Sequence, residues 1–505
     1  MPIPIVLELR VRRLGIDTHQ QPVAFMPRDC HVCRSEGFSA LSRIELVKGT
    51  RRVIATLMVV DGQWIGGGEV GLSESAWRLL GAQEGESVAV HHPAPVESMS
   101  AVRGKIHGSA LSREALAAIV NDIDAGRFSD VELAAFLTGC AGNQMSFTEI
   151  RYLTEAMVEA GERLHWDRPL ILDKHCVGGL PGNRTTPIVV AIVAANGLCI
   201  PKTSSRAITS PAGTADAMET LAPVDLDLPT MRRVVEQEGG CVVWGGAVQL
   251  SPTDDVLIRV ERALDLDSQG QLVASVLSKK LAAGASHVLI DIPVGATAKV
   301  RDMPAAIQLQ TLLVEVGSLL GLNVQVHVSN GDGPVGRGIG PALEARDVLA
   351  VLRGDAQAPQ DLRERALDLA GLLLEMAGKV PTGGGYALAA ATLASGSAWR
   401  KFQAIANAQG GLREPPMARY RHPVLADRDG RVCRIDNRVL SRIGKLAGAP
   451  AAPAAGLVLG TALGQRVEAD QPLYTVHAES PGELAYALEY AQQHSELFFI
   501  EEDAP

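Results

Sequence analysis

Aromatic residues are scarce in this 505-residue sequence, at 4%, so it has few rings on which the bases of a nucleic acid chain would stack. Basic residues are also in deficit. The 47 Lys and Arg against 57 Asp and Glu leave a formal net charge of −10. That excludes a nucleic-acid backbone as the main partner, because affinity for it rests on Lys and Arg. A small anion stays admissible, since a local pocket can be positive on an acidic protein. Long apolar runs are missing as well. The longest, from Pro187 to Pro201, is about 15 residues, is interrupted by Asn196 and Gly197, and falls short of the ~20 that cross a bilayer. It reads as a buried helix. The start, Met1-Pro2-Ile3-Pro4-Ile5, lacks the basic segment, apolar run and cleavage site of a signal peptide, so a cytoplasmic location is expected. Seven cysteines are scattered at 30, 33, 140, 176, 199, 241 and 433. Only Cys30 and Cys33 form a CxxC pair, and no second pair completes a four-ligand zinc site. Free thiols in a reduced compartment and no metal are the expectation.

What is present is ordinary for a globular protein: 47% hydrophobic and 21% charged residues. The length implies roughly two to four domains. Residues 1–92 read as a small N-terminal β-rich, barrel-like module, with strands at 53–60 and 87–90. Between them, 72–81 reads as a helix with a serine cap and a glycine stop. Residues 101–168 turn helical, with Ser112, Ser129 and Thr148 at three helix starts. Over 169–415, apolar runs at 170–172, 242–244, 288–292 and 324–328 alternate with helix-length segments. That order predicts an α/β domain built on a mainly parallel sheet. Residues 416–505 fit a C-terminal α+β domain. The fold class expected is therefore multidomain α/β.

Three segments carry the chemistry. Asp173-Lys174-His175-Cys176-Val177-Gly178-Gly179-Leu180-Pro181-Gly182-Asn183-Arg184-Thr185-Thr186 follows a predicted strand and enters an apolar helix, with Thr186 as cap and Pro187 in the first turn. A strand, a glycine loop and a helix start present backbone N–H groups to an anion. Lys174 adds a charge and the threonines add donors. The segment matches neither GxxxxGK[ST] nor GxGxxG, and by itself it fits a tight strand-to-helix turn equally well. The second segment, 202–216, is rich in small, hydroxylated and cationic residues and leads into a helix near Thr214. Two such loops after adjacent strands can converge on one anion at the carboxyl edge of a parallel sheet. The third segment sets Gln271, Ser275 and Lys279 on one helix face at i, i+4 spacing, with Asp267 just before the helix. Taken alone, it reads as a dipole-stabilised aspartate and a solvated Lys279-Lys280 face.

Together these segments resemble the thymidine/pyrimidine nucleoside phosphorylase family, in particular its long branch that includes the AMP phosphorylases. The resemblance rests on DKHxxGG at 173–179, PGNRTT at 181–186, KTSSRAITSPAGTAD at 202–216 and ASVLSKKLAAG at 274–284. It extends to Gly336-Arg337-Gly338-Ile339-Gly340-Pro341 and to Ala406-Asn407 within 402–411. It implies Lys174, Thr185, Thr186, Ser204 and Thr214 on the phosphate side. It implies Gly179, Ser205, Arg206, Ala207, Ile208, Thr209, Ser210, Thr214, Ser275 and Lys299 at the nucleotide. Asp267 corresponds to a proton donor, with Lys174 and Lys279 as its catalytic companions. Cys176 stands where the short branch has a serine, and a thiol is a weaker donor. The pyrimidine-reading arginine of that branch aligns with Arg259 or Arg262 only after a shift.

The function implied is phosphorolysis of nucleoside 5′-monophosphates to free base and ribose 1,5-bisphosphate. The alternatives are phosphorolysis of thymidine and other pyrimidine nucleosides and, less favoured, a phosphoribosyltransferase of the anthranilate type. The partners implied are a small nucleoside or nucleotide and phosphate, with no nucleic-acid polymer, membrane, metal or organic cofactor. A homodimer or larger homo-oligomer is expected. The run Gly383-Gly384-Gly385 reads as a hinge for domain closure or as a tight turn.

Overall fold

The computed structural model describes residues 8–19, 21–141, 145–207, 210–264 and 268–502. Its contacts divide the chain into two compact units, residues 1–103 with 121–133, and residues 104–120 with 134–505.

The first unit is built on a closed six-stranded barrel. Its elements in chain order are β1 (Glu8–Arg13), β2 (Val23–Pro27), α1 (His31–Glu36), β3 (Arg43–Lys48), β4 (Arg51–Val60), β5 (Glu69–Leu72), α2 (Glu74–Leu80) and β6 (Ser87–His91). Alternation drives the closure. In β1, Leu9 and Val11 point inward while Glu8, Arg10 and Arg12 face out. Closing the sheet removes the unpaired edges an open one would expose. Ser73 caps α2 and Gly81 ends it in the left-handed region, as the serine and glycine predict. Cys30 and Cys33 are free thiols buried in the barrel core.

The next helices are α3 (Met99–Ile106), α4 (Arg113–Asp124), α5 (Asp130–Gly139) and α6 (Phe147–Glu159). Ser112 and Ser129 accept from the first-turn amides as expected. The third start is corrected. Ser146, not Thr148, caps α6, in a reciprocal box with Glu149.

Within the second unit, β7 (Leu172–Cys176), α7 (Thr186–Ala195), β8 (Ile200–Ser204), α8 (Thr214–Glu219), α9 (Leu228–Glu238), β9 (Gly240–Trp244), α10 (Pro252–Leu264), α11 (Gln269–Ala282), β10 (His287–Val294), α12 (Met303–Leu319) and β11 (Asn323–Asn330) alternate. The strands are parallel, but they form two sheets, β11-β10-β7 and β8-β9. Among the described residues, one parallel bridge, Ile171 to Cys199, links them. The first strand also lies further along the chain than its apolar run predicts: it spans 172–176, so Asp173 to Cys176 are strand residues rather than loop. α7 has no polar face. Thr186 to Ala194 are all buried, as a helix covered on every side requires. It packs against α14 (Gln360–Met376) and α16 (Ser397–Ala408), which follow β12 (Gly338–Ile339) and α13 (Pro341–Arg353) and flank α15 (Gly385–Ala394). The glycine run before α15 is a tight turn. Glu375 Oε1 accepts from the amides of Gly383 and Gly385 at 2.9 and 2.8 Å, which binds the run to α14 rather than leaving a hinge.

The chain ends with β13 (Tyr420–Leu425), β14 (Gly430–Ile435), α17 (Asn437–Leu446), β15 (Gly456–Leu459), β16 (Arg466–Val467), β17 (Pro472–Ala478), α18 (Pro481–Gln493) and β18 (Phe498–Glu501). Two small antiparallel sheets, β12-β15-β17-β13 and β16-β14-β18, enclose a core in which Tyr474 stacks on Phe498 at 5.7 Å. Among the described residues, no helix is long and apolar enough to cross a membrane.

Candidate active site

The site begins at the carboxyl end of β7. Lys174 is wholly buried, and its Nζ donates to Thr185 Oγ1 at 2.7 Å; that hydroxyl donates onward to the Gly182 carbonyl at 2.9 Å. The chain then turns through Gly178 and Gly179, both in the left-handed region at φ 99° and 68°. A Cβ on Gly178 would stand 2.7 Å from Lys299 Cβ. Glycine is therefore what lets the Lys299 side chain lie across this loop. α7 begins at Thr186, with Thr185 as its N-cap residue and no side-chain cap bond. The expected Thr186 cap is thus displaced by one residue.

The second loop leaves β8. The Ser204 hydroxyl is buried without a hydrogen-bond partner, an arrangement that a bound acceptor would relieve. Asp216 shapes the loop by accepting from the amides of Ala207 and Gly213 at 2.6 and 2.9 Å. Arg206 is held by Glu219 at 2.9 Å and Asp216 at 3.3 Å, with its guanidinium 4.8 Å over the Trp244 ring. Ser210 donates to the Ala212 carbonyl at 2.7 Å. Ile208 and Thr209 lie outside the described residues.

These loops and α11 converge on a cavity of about 690 Å³. Of the residues singled out from sequence, Lys174, Gly179, Thr186, Ser204, Ser205, Arg206, Ser210, Thr214, Ser275, Lys279 and Lys299 reach its wall. Thr185 and Ala207 do not: the first orients Lys174 and the second braces its own loop. Asp267 lies outside the described residues. The α11 face differs from its predicted form. Gln271 is buried, and Ser268, Leu272, Ser275 and Lys279 face the cavity. Nor is Lys279-Lys280 a solvated face. Lys280, 2% exposed, turns inward to Asp173 at 3.0 Å, while Lys279 pairs with Asp254. Burial works against the Lys279 ammonium, but Asp254, with Asp255 and Glu261 beyond it, outweighs that and holds its pKa above the usual lysine value.

Cys176 donates to Asp291 at 3.5 Å. Burial, reinforced by that carboxylate, pushes the thiol up to about 12, so it stays protonated. Asp291 also accepts from Ser329 at 2.5 Å and lies 3.7 Å from Arg365. His175 is kept neutral, first by burial and then by the surrounding lysines 280, 202, 174 and 279. Behind the first loop, Arg184 is fully buried. It contacts the Gly338 carbonyl and lies 3.5 Å from Asp347 and 3.6 Å from Glu344. Asp347 in turn accepts from the amides of Arg337 and Gly338, each at 2.7 Å. The 336–341 motif therefore anchors the loop from behind and does not line the cavity. Ala406 and Asn407 precede a comparable staple, in which the Gln409 side chain bonds both backbone groups of Val242.

Several wall residues have no assigned role in the sequence reading: Lys202, which opens the second segment, and on α17 Arg438, Ser441, Arg442 and Lys445. The α17 set follows i, i+3, i+4, i+7 spacing opposite buried Leu440 and Ile443, a legible signal. On α10 the wall is formed by Asp255, Ile258 and Glu261.

Fold and site together define a pentosyltransferase. Residues 99–161 match the glycosyl transferase family helical bundle domain, and residues 168–399 match its a/b domain. Anthranilate phosphoribosyltransferase from Thermus thermophilus shares the fold, with a TM-score of 0.52 and 22% identity over 61% of this chain and 99% of that one. Far higher identity joins the chain to curated bacterial proteins. The "Putative thymidine phosphorylase" of Polaromonas sp. is 63% identical over 98% of this chain and 97% of that protein. The "Putative thymidine phosphorylase 2" of Acidovorax sp. is 62% identical over 98% and 96%. The chain belongs to the thymidine/pyrimidine nucleoside phosphorylase family.

Proposed function

We propose that this enzyme cleaves the N-glycosidic bond of a pyrimidine nucleoside, thymidine included, with inorganic phosphate as acceptor, giving free base and a (deoxy)ribose 1-phosphate. The observation that carries the reading is that one cavity is lined both by buried Lys174, within β7, and by the orphaned Ser204 hydroxyl, at the carboxyl end of β8. Thr186 and Thr214 stand on the same wall. A tetrahedral oxyanion satisfies both the ammonium and the unpartnered Ser204 hydroxyl. The names carried by the relatives support a nucleoside substrate over the 5′-monophosphate expected from the sequence.

The chemistry follows from position. Phosphate held beside the anomeric carbon turns an encounter into an intramolecular attack. An oxygen–C1′ bond forms as the C1′–nitrogen bond breaks, and the electron pair leaves with the base. Lys279, kept charged by Asp254, stabilises that developing negative charge. Asp267, the residue before Ser268, takes the role of proton donor.

A second reading, nucleoside 5′-monophosphates cleaved to ribose 1,5-bisphosphate, is favoured by one observation. Arg301, Arg438, Arg442 and Lys445 join Lys299 on the cavity wall, a density of cations beyond what one phosphate needs. A side-by-side assay of thymidine, uridine, AMP, CMP and UMP, each with phosphate and with products identified, separates the two. Preferred turnover of thymidine and uridine is expected, and preferred turnover of the monophosphates would transfer the assignment to the second reading. In that assay Asp267→Asn lowers kcat by about 10²-fold or more if the side chain is the donor; an unchanged kcat in a folded variant removes it from the mechanism.

A further inference from the structure

Beside Lys174 stands a second buried lysine with no role in the account so far. Lys202, on β8, is 4% exposed, and Asp173 is 1% exposed. Lys202 Nζ lies 3.4 Å from one oxygen of Asp173, and Lys280 Nζ lies 3.0 Å from the other. Lys202 otherwise contacts the Thr203 carbonyl, and Lys174 spends its hydrogen bond on a neutral hydroxyl. Of the other groups around this cluster, Asp291 on β10 is matched by Arg365 at 3.7 Å, and Asp255 and Glu261, on α10, stand beyond Lys279. His175 is neutral, burial pushes the Cys241 thiol up so that it stays protonated, and Lys279 is already matched by Asp254. Lys202 and Lys280 thus share the single carboxylate of Asp173, with buried Lys174 beside them. Within the cluster lysines outnumber carboxylates, and all three open onto the cavity wall. Buried charge left uncompensated is destabilising. A phosphate dianion carries the opposite charge.

We propose that Lys202 is a phosphate-binding residue of this site, and that Asp173 is its positioning carboxylate, holding Lys202 and Lys280 from opposite oxygens. The proposal rests on the phosphorolytic reading above. It has a consequence that a purely structural lysine would not have. In the empty site, burial lowers Lys202 to about 7, with Lys280 and Lys174 adding to it and Asp173 opposing. Burial thus favours the neutral amine while the site is empty, and a bound dianion favours its protonation. Phosphate binding should therefore draw a proton onto the protein.

The test is calorimetric titration of the full-length protein with inorganic phosphate at about pH 8, in two buffers of different ionisation enthalpy, alongside steady-state kinetics. Wild type is expected to take up about one proton per phosphate. Lys202→Met should weaken phosphate binding by about tenfold or more and take up none, with the nucleoside KM held within about twofold. Lys202→Arg, always charged, should keep most of the affinity and also take up none. A folded Lys202→Met protein that binds phosphate like wild type overturns the proposal, and so does one that loses nucleoside and phosphate affinity alike. If the methionine variant fails to fold, wild-type proton uptake in Lys202→Arg overturns it instead. A wild-type protein that binds phosphate with the predicted linkage but releases no base sinks the phosphorolytic reading and leaves the Lys202 assignment standing.

Discussion

Lys174 and its partners show how a site residue can be covered on all sides and still be addressed to a ligand. Its ammonium is fixed by Thr185, which is fixed in turn by the Gly182 carbonyl, so the charge is oriented before any phosphate arrives. Preorganisation of this kind is what makes an electrostatic contact worth more at a reacting centre than in water. Lys174→Met should therefore cut kcat/KM for phosphate by about 10²–10³-fold while leaving Tm near that of wild type. Steady-state kinetics with a thermal melt checks both, and a loss below about threefold would remove Lys174 from the phosphate site. At this scale the sequence was legible where residue type and loop chemistry agreed. Lys174, Ser204 and Thr214 stand out for that reason, and all three reach the cavity. It was illegible where the neighbourhood decides. Nothing local distinguishes Lys279-Lys280 from an exposed lysine pair, because the inward turn of Lys280 depends on Asp173, far away along the chain. Cys176 is a subtler case. A thiol in place of a hydroxyl suggests a weakened phosphate contact, yet its hydrogen bond goes to Asp291.

Elements carry the second kind of information. The apolar pattern places the strand at 170–172 rather than 172–176 because its last residues, Asp173 to Cys176, are polar and still largely buried. Periodicity registers apolar burial, and it fails where a buried strand end bears the chemistry. The PGNRTT run reads as a phosphate loop, and the structure divides it. Thr186 reaches the cavity, whereas Arg184 points the other way, into Glu344, Asp347 and the Gly338 carbonyl. Removing one member of a buried ionic set leaves the others uncompensated. Arg184→Met should therefore destabilise the fold by about 3–5 kcal/mol, read as a shift in denaturant midpoint. It should also lower turnover, because it loosens the anchor behind Lys174's loop. A variant as stable as wild type would show that the set does not hold the loop. Helix starts are more legible than strands, since capping is local: Ser73, Ser112 and Ser129 cap where predicted, and Ser146 takes over from Thr148 because its side chain completes the box with Glu149.

Over the whole molecule, the order of elements was the strongest sequence signal. Alternating strand and helix runs imply parallel strands, and the strands of the α/β region are parallel. Their division into two sheets was not readable, because pairing partners lie far apart along the chain and no strand's own pattern names them. The net charge of −10 makes a nucleic-acid backbone an unexpected partner, but a small anion meets local positive charge: Lys174, Lys202, Lys280, Lys299, Arg438 and Arg442 all belong to the cavity wall. What such a wall does is settled by one measurement. Purified protein is incubated with thymidine or uridine with and without inorganic phosphate, and base release and phosphate consumption are followed together. The account predicts one phosphate consumed per base released, a sugar 1-phosphate as co-product, and no release without phosphate. Base release that continues undiminished without phosphate, with free sugar as the product, would contradict it.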